Sequence, residues 1–204
     1  MCNAFLRFVG CSATNLDLVF VVDGSTKFDP SGWSQLLSFI SNAARLYQIS
    51  ASGVRVALVQ YSNRALTSIP FGQYNDANSF GSAVLRTGQL QGTSNLATGL
   101  DQARSVLSGS GSRSKVVLVV TDQFRSSPAI STAAANVANS GIILVGVGVQ
   151  GASGLTLDST AFQSLFQNGA VLANGYSGLG VVVVQAVSLA CPGQQVSGQH
   201  SNSY

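Results

Sequence analysis

Short runs of strand-forming residues, each followed by a stretch with helical spacing, recur along this chain, and that alternation limits the fold more than any other feature. Residues 16–22 (LDLVFVV) and 115–120 (KVVLVV) are continuous runs of strand formers, the pattern of strands buried on both faces. Residues 54–61 (VRVALVQY) and 142–149 read the same way, and 65–71 and 170–173 predict shorter strands. Pro30 opens a helical pattern that sets Trp33, Leu36, Leu37, Ile40, Ala44 and Tyr47 on one side. Further helices are predicted over 77–85, 97–107, 129–138, 159–166 and 181–189, the last despite a run of four valines that passes for a strand on propensity alone. The alternation predicts an α/β fold with a doubly wound, mostly parallel central sheet and helices on both faces. No apolar run approaches the ~18 residues of a membrane span, so no membrane insertion is expected.

Composition then removes several function classes. Only 8% of the 204 residues are charged, against about 25% in an ordinary domain. Every acid is Asp, and Ser, Gly, Asn, Gln and Thr must keep the surface wet, which suits an extracellular or matrix setting. The formal charge is +3, but the cations are scattered singly from Arg7 to Arg125, so no nucleic-acid partner is expected. The one histidine, His200, lies in a polar tail, which leaves a Ser-His-Asp or Cys-His mechanism without its base. The three cysteines, Cys2, Cys11 and Cys191, form no CxxC spacing and no zinc site.

Those cysteines allow two readings. A bridge from Cys11 to Cys191 would staple the two ends of the domain and imply an oxidising compartment. Alternatively, all three are reduced thiols of a cytosolic protein. If the bridge forms, Cys2 is left free or pairs with another chain in an oligomer. Residues 1–10 lack a signal-peptide pattern, since Arg7 interrupts the short apolar run, so secretion implies a leader already removed. The expected organisation is an N-terminal extension (1–14), one domain (15–191) and a disordered polar tail (192–204).

Chemistry should sit at the strand ends, because open α/β sheets bind ligands just beyond the carboxyl ends of their strands. The first run ends in V-V-D-G-S-T-K with Asp23 at its tip, and the run 115–120 leads into V-T-D-Q with Asp122. A polar loop, Q-G-T-S-N (91–95), lies between them in sequence. If the two strands are neighbours, both carboxylates and the hydroxyls of Ser25 and Thr93 converge in one crevice. Oxygen donors of that kind are what hard divalent cations prefer, Mg²⁺ or Mn²⁺ above all, with Ca²⁺ a further candidate. Taken singly, each aspartate is also explained as a turn or N-cap residue.

These residues resemble a von Willebrand factor type A domain, the module also called the integrin inserted domain, over about residues 15–191. Its metal-ion-dependent adhesion site follows Asp-x-Ser-x-Ser after the first strand, with a Thr from a later loop and an Asp after the fourth strand. The stretch D-L-V-F-V-V-D-G-S-T-K-F (17–28) matches the opening, and V-R-V-A-L-V-Q-Y-S (54–62), L-Q-G-T-S (90–94) and V-V-L-V-V-T-D (116–122) match later motifs. The resemblance implies a Rossmann-like von Willebrand factor A fold. It also implies metal ligation by Asp23, Ser25, Thr93 and Asp122, and a Cys11–Cys191 disulfide like those joining the ends of some extracellular members.

One position departs from the motif. Lys27 stands where the third motif residue, a serine, belongs, and lysine has three donors and no acceptor. Either a water replaces the lost hydroxyl in a weakened metal site, or the ammonium reaches between Asp23 and Asp122 and stands in for the cation. The resemblance implies a secreted, non-enzymatic adhesion domain of the extracellular matrix whose partner is another protein, collagen or a matrix polymer. With metal, a partner carboxylate completes the cation's coordination; without it, the partner docks on a helical or sheet-edge surface. An aspartate-nucleophile phosphatase also places Asp after its first strand, but its general acid would fall on Ser25, which cannot transfer that proton at neutral pH.

Overall fold

The first strand, β1 (Leu16–Asp23), is buried along its whole length, because helices cover the sheet on both sides. Leu16, Leu18, Phe20 and Val22 face one apolar cluster, and Val19 and Val21 face a second. In the computed structural model, which describes residues 10–25, 30–151 and 156–193, the chain continues through α1 (Pro30–Ala44), β2 (Val54–Tyr61), β3 (Ala65–Ile69) and α2 (Ala77–Leu85). It then passes through α3 (Leu96–Leu107), β4 (Ser114–Thr121), α4 (Pro128–Asn139), β5 (Ile143–Gln150) and α5 (Ser159–Leu165). The strand β6 (Ala170–Asn174), a 3₁₀ turn (Tyr176–Gly178) and α6 (Leu179–Leu189) follow. Cys2, Lys27, His200 and residues 194–204 lie outside the described residues.

The six strands are ordered β3-β2-β1-β4-β5-β6. Every neighbouring pair is parallel except β2 with β3. Residues of α1, α2 and α6 fill one apolar cluster, and residues of α3, α4 and α5 fill the other. This is the doubly wound sheet that the alternating pattern predicts. The third strand stops at Ile69, just before Pro70, which has no N–H to give a ladder. The valine run is helical, as expected, and lies in the first turns of α6, in which Leu179, Ala186 and Val187 are buried while Val181 is 84% exposed. Packing one face against α1 and β6 overrides the strand preference of valine.

From β1 the chain turns through α1 towards β2, whereas from β4 it turns through α4, on the opposite face, towards β5. The adjacent carboxyl ends of β1 and β4 are therefore the switch point of the sheet, where a crevice opens. At the other end of β1, Asp17 is fully buried beneath two arginines. Arg55 Nε donates to its Oδ1 at 2.7 Å and Arg113 Nε to the same oxygen at 2.6 Å. Burial alone would raise the Asp17 pKa, but the hydrogen bonds from Arg55 and Arg113 outweigh it and hold the carboxyl below its ordinary value. The chain ends are joined: a disulfide links Cys11 to Cys191 with Cα atoms 5.6 Å apart, across 180 positions of sequence. In the chain-entropy picture, closing so long a loop stabilises the fold by roughly 4–5 kcal/mol.

Candidate functional site

The turn after β1 is built to present one carboxylate. Asp23 pairs in register with Tyr61 of β2, and Gly24 N donates to Tyr61 O at 2.8 Å, which carries the ladder one residue beyond the strand. Ser25 N donates to Asp23 Oδ1 at 2.9 Å, a local turn typical of aspartate. Asp23 and Ser25 are both fully buried.

The loop between α2 and α3 is laced onto this turn. Gln91 N donates to Gly24 O at 2.8 Å, and the Gln89 side-chain amide donates to Ser25 O. Buried Gln60 anchors the same loop from β2. Its Nε2 donates to Ser68 Oγ at 2.9 Å and to Gly88 O at 3.1 Å, and its Oε1 accepts from Leu90 N at 3.2 Å. Two left-handed residues follow, Gln91 (φ 64) and Gly92 (φ 103). At φ 103 Gly92 holds a backbone conformation that residues with a Cβ rarely adopt, so the turn favours glycine. That reversal brings Ser94 Oγ to donate to Asp23 Oδ2 at 2.7 Å.

Thr93, the hydroxyl expected here, is exposed. Among the described residues it makes no hydrogen bond to either carboxylate. The pair of left-handed residues rotates the loop by one position relative to the reading made from spacing, and Ser94 takes the inward place.

From β4, Thr121 and Asp122 are both fully buried. Val22 of β1 pairs with Val120 of β4, so the tips carrying Asp23 and Asp122 emerge side by side. Thr121 Oγ1 donates to Gln123 O at 2.8 Å and also lies 3.4 Å from Asp23 Oδ2. Tyr176, from the 3₁₀ turn before α6, donates its phenolic hydrogen to Asp122 Oδ2 at 2.6 Å. Gly32 of α1 makes room for that ring, since a Cβ there would meet it at 2.7 Å. Burial, and then the nearby Asp23 charge, push the Tyr61 phenol well above its ordinary pKa, so it stays protonated beneath the crevice. Tyr176 escaped the reading from spacing, because no short-range pattern links it to a strand 54 residues earlier.

A family-level comparison covers the stretch of chain that carries both acidic tips. The von Willebrand factor type A domain family matches residues 17–169. The chain belongs to that family.

Human matrilin-3 is 31% identical over 164 residues, covering 76% of this chain and 33% of its own length. Human matrilin-4 is 34% identical over 150 residues, covering 68% of this chain and 24% of its own. The chain thus spans about a quarter to a third of these relatives. Among solved structures, proximal thread matrix protein 1 from the mussel byssus, with a zinc-occupied MIDAS motif, has a TM-score of 0.78 at 18% identity. That match covers 89% of this chain and 49% of the other, and it speaks to the shared fold alone.

The donor set of this von Willebrand factor type A domain fits a hard cation. Among the described residues no cluster of three or more His, Cys, Asp or Glu forms. What is present is carboxylate and hydroxyl oxygen: Asp23, Ser25, Ser94 and Asp122. Water completes such a shell for Mg²⁺ or Mn²⁺. The lysine at the third motif position, Lys27, lies outside the described residues.

Proposed function

We propose that this domain is a non-enzymatic adhesion module of the secreted extracellular matrix that binds another matrix protein, collagen among the candidates, through the crevice at the ends of β1 and β4. The observation that carries the reading is the meeting of Asp23 and Asp122 on adjacent parallel strands, with Ser25 and Ser94 beside Asp23. Those side chains would hold a divalent cation, Mg²⁺ or Mn²⁺, and the cation would offer an open position to a carboxylate of the partner. The likeness to matrilins supports the matrix setting, as does the disulfide. Among the described residues no helix is long and apolar enough to cross a membrane.

The test is a pair of titrations. Calorimetry with Mg²⁺ should give a saturable heat for the wild type and none for Asp23→Ala. Capture on immobilised collagen fibrils should rise with Mg²⁺ and disappear with chelator. A wild type that takes up no cation, or collagen capture indifferent to chelator, would overturn the cation-dependent reading.

A further inference from the structure

We infer that Gln123 is an internal competitor for the cation: its side-chain amide holds the oxygens that the cation needs, so the crevice rests closed and opens only when the ion displaces the amide. The inference rests on the cation-site reading above and specifies how that site is regulated. Gln123 Nε2 lies 3.2 Å from Asp23 Oδ2 and 3.3 Å from Ser25 Oγ. An ionised carboxylate only accepts hydrogen bonds, so the amide must turn its nitrogen, not its oxygen, to Asp23. One donor group thus bridges the first two residues of the adhesion motif, the pair that a cation would bridge.

Counting lone pairs shows that the two compete for Oδ2, the oxygen that Ser94 and Gln123 share. Asp23 Oδ1 accepts from Ser25 N, and Oδ2 accepts from Ser94 at 2.7 Å and from Gln123 at 3.2 Å. A carboxylate oxygen has two lone-pair sites, so both on Oδ2 are taken. An ion binding Oδ2 must break one of these bonds, and the longer one, from Gln123, is the weaker. Ser94 can remain beside the ion as a ligand, because a hydroxyl also accepts; an amide NH₂ cannot.

The backbone around Gln123 is held by its own hydrogen bonds, so its side chain can exchange partners without moving it. Thr121 Oγ1 brackets the residue, accepting from its N at 3.3 Å and donating to its O at 2.8 Å. The next residue, Phe124, is buried and donates its N–H to Thr156 O at 3.2 Å. Exchange between amide and ion therefore needs a rotamer change and no refolding of the loop.

The experiment is calorimetric titration of Mn²⁺ into wild type, Q123A and D23A/Q123A, all with the disulfide intact. Q123A should bind at least tenfold more tightly than wild type, and the double variant should show no heat. Q123M, which keeps the length of the side chain without its donors, should behave as Q123A and serves if Q123A folds poorly. In parallel, the side-chain NH₂ resonances of Gln123 in wild type should shift on addition of Mg²⁺. Equal affinity in wild type, Q123A and Q123M would overturn the inference while leaving the cation site standing. Weaker binding in both variants would overturn it by making Gln123 a ligand through its oxygen. No binding in any of the proteins would remove the cation site and the inference together.

Discussion

Asp17 and Asp23 stand on one strand, six positions apart and on the same face, and both are fully buried, yet their surroundings differ in kind. Asp17 is neutralised by the guanidinium groups of Arg55 and Arg113. The partners of Asp23 among the described residues are neutral: a backbone N–H, a serine hydroxyl, a glutamine amide and, at 3.4 Å, the Thr121 hydroxyl. Paired charge locks one end of the sheet. At the other end the described partners bring hydrogen bonds and no charge, the setting that the proposed cation site requires.

The largest expected effect tests the structural half. Asp17→Asn leaves two guanidinium groups facing a neutral amide at a buried site, and should cost about 3 kcal/mol in a denaturant titration. Asp23→Asn should cost less, about 1.5 kcal/mol, the lower end for a hydrogen bond to a charged group, while removing the heat of cation binding that Asp17→Asn leaves intact. Equal losses of stability would erase the distinction.

Acid should separate the two ends as well. The Asp17 carboxyl has a lowered pKa in the folded protein, so its contribution is complete above the unfolded value of ~3.9 and is lost as pH falls through the folded value. The stability of the wild type should therefore drop below about pH 4, and Asp17→Asn should flatten that part of the curve.

Smaller effects sharpen the functional half. Lys27→Ser restores the hydroxyl of the motif and removes a positive charge, and should tighten Mg²⁺ binding about tenfold, ~1.4 kcal/mol. Ser94→Ala should weaken it roughly fivefold, about 1 kcal/mol, whereas Thr93→Ala should leave it unchanged. The reverse order for Ser94 and Thr93 in calorimetry would return the ligand role to Thr93.

These contrasts also explain what could be read before any coordinates. Asp23 and Asp122 were legible because each ends an apolar run, and a charge at the tip of a buried strand marks the sheet's open end. The sheet itself was legible because strands covered on both faces carry little but Val, Leu and Phe. Ser94 was missed by one position, since the direction of a hydroxyl in that loop depends on the left-handed backbone at Gln91 and Gly92. Gln123 carries no charge and no periodicity, and only the approach of β4 to β1 makes it a neighbour of Ser25. The cluster at Asp17 did leave a signal, an acid inside L-D-L-V-F that no buried strand tolerates unpaired. Its partners stand 38 and 96 residues away, and only strand order brings them together.

The bond between Cys11 and Cys191 has a mechanical corollary. Tension applied to the two flanks of the domain would pass from one sulfur to the other across a span of 5.6 Å between Cα atoms, and would not unzip β1 from β4. The crevice would keep its shape while the two ends are pulled.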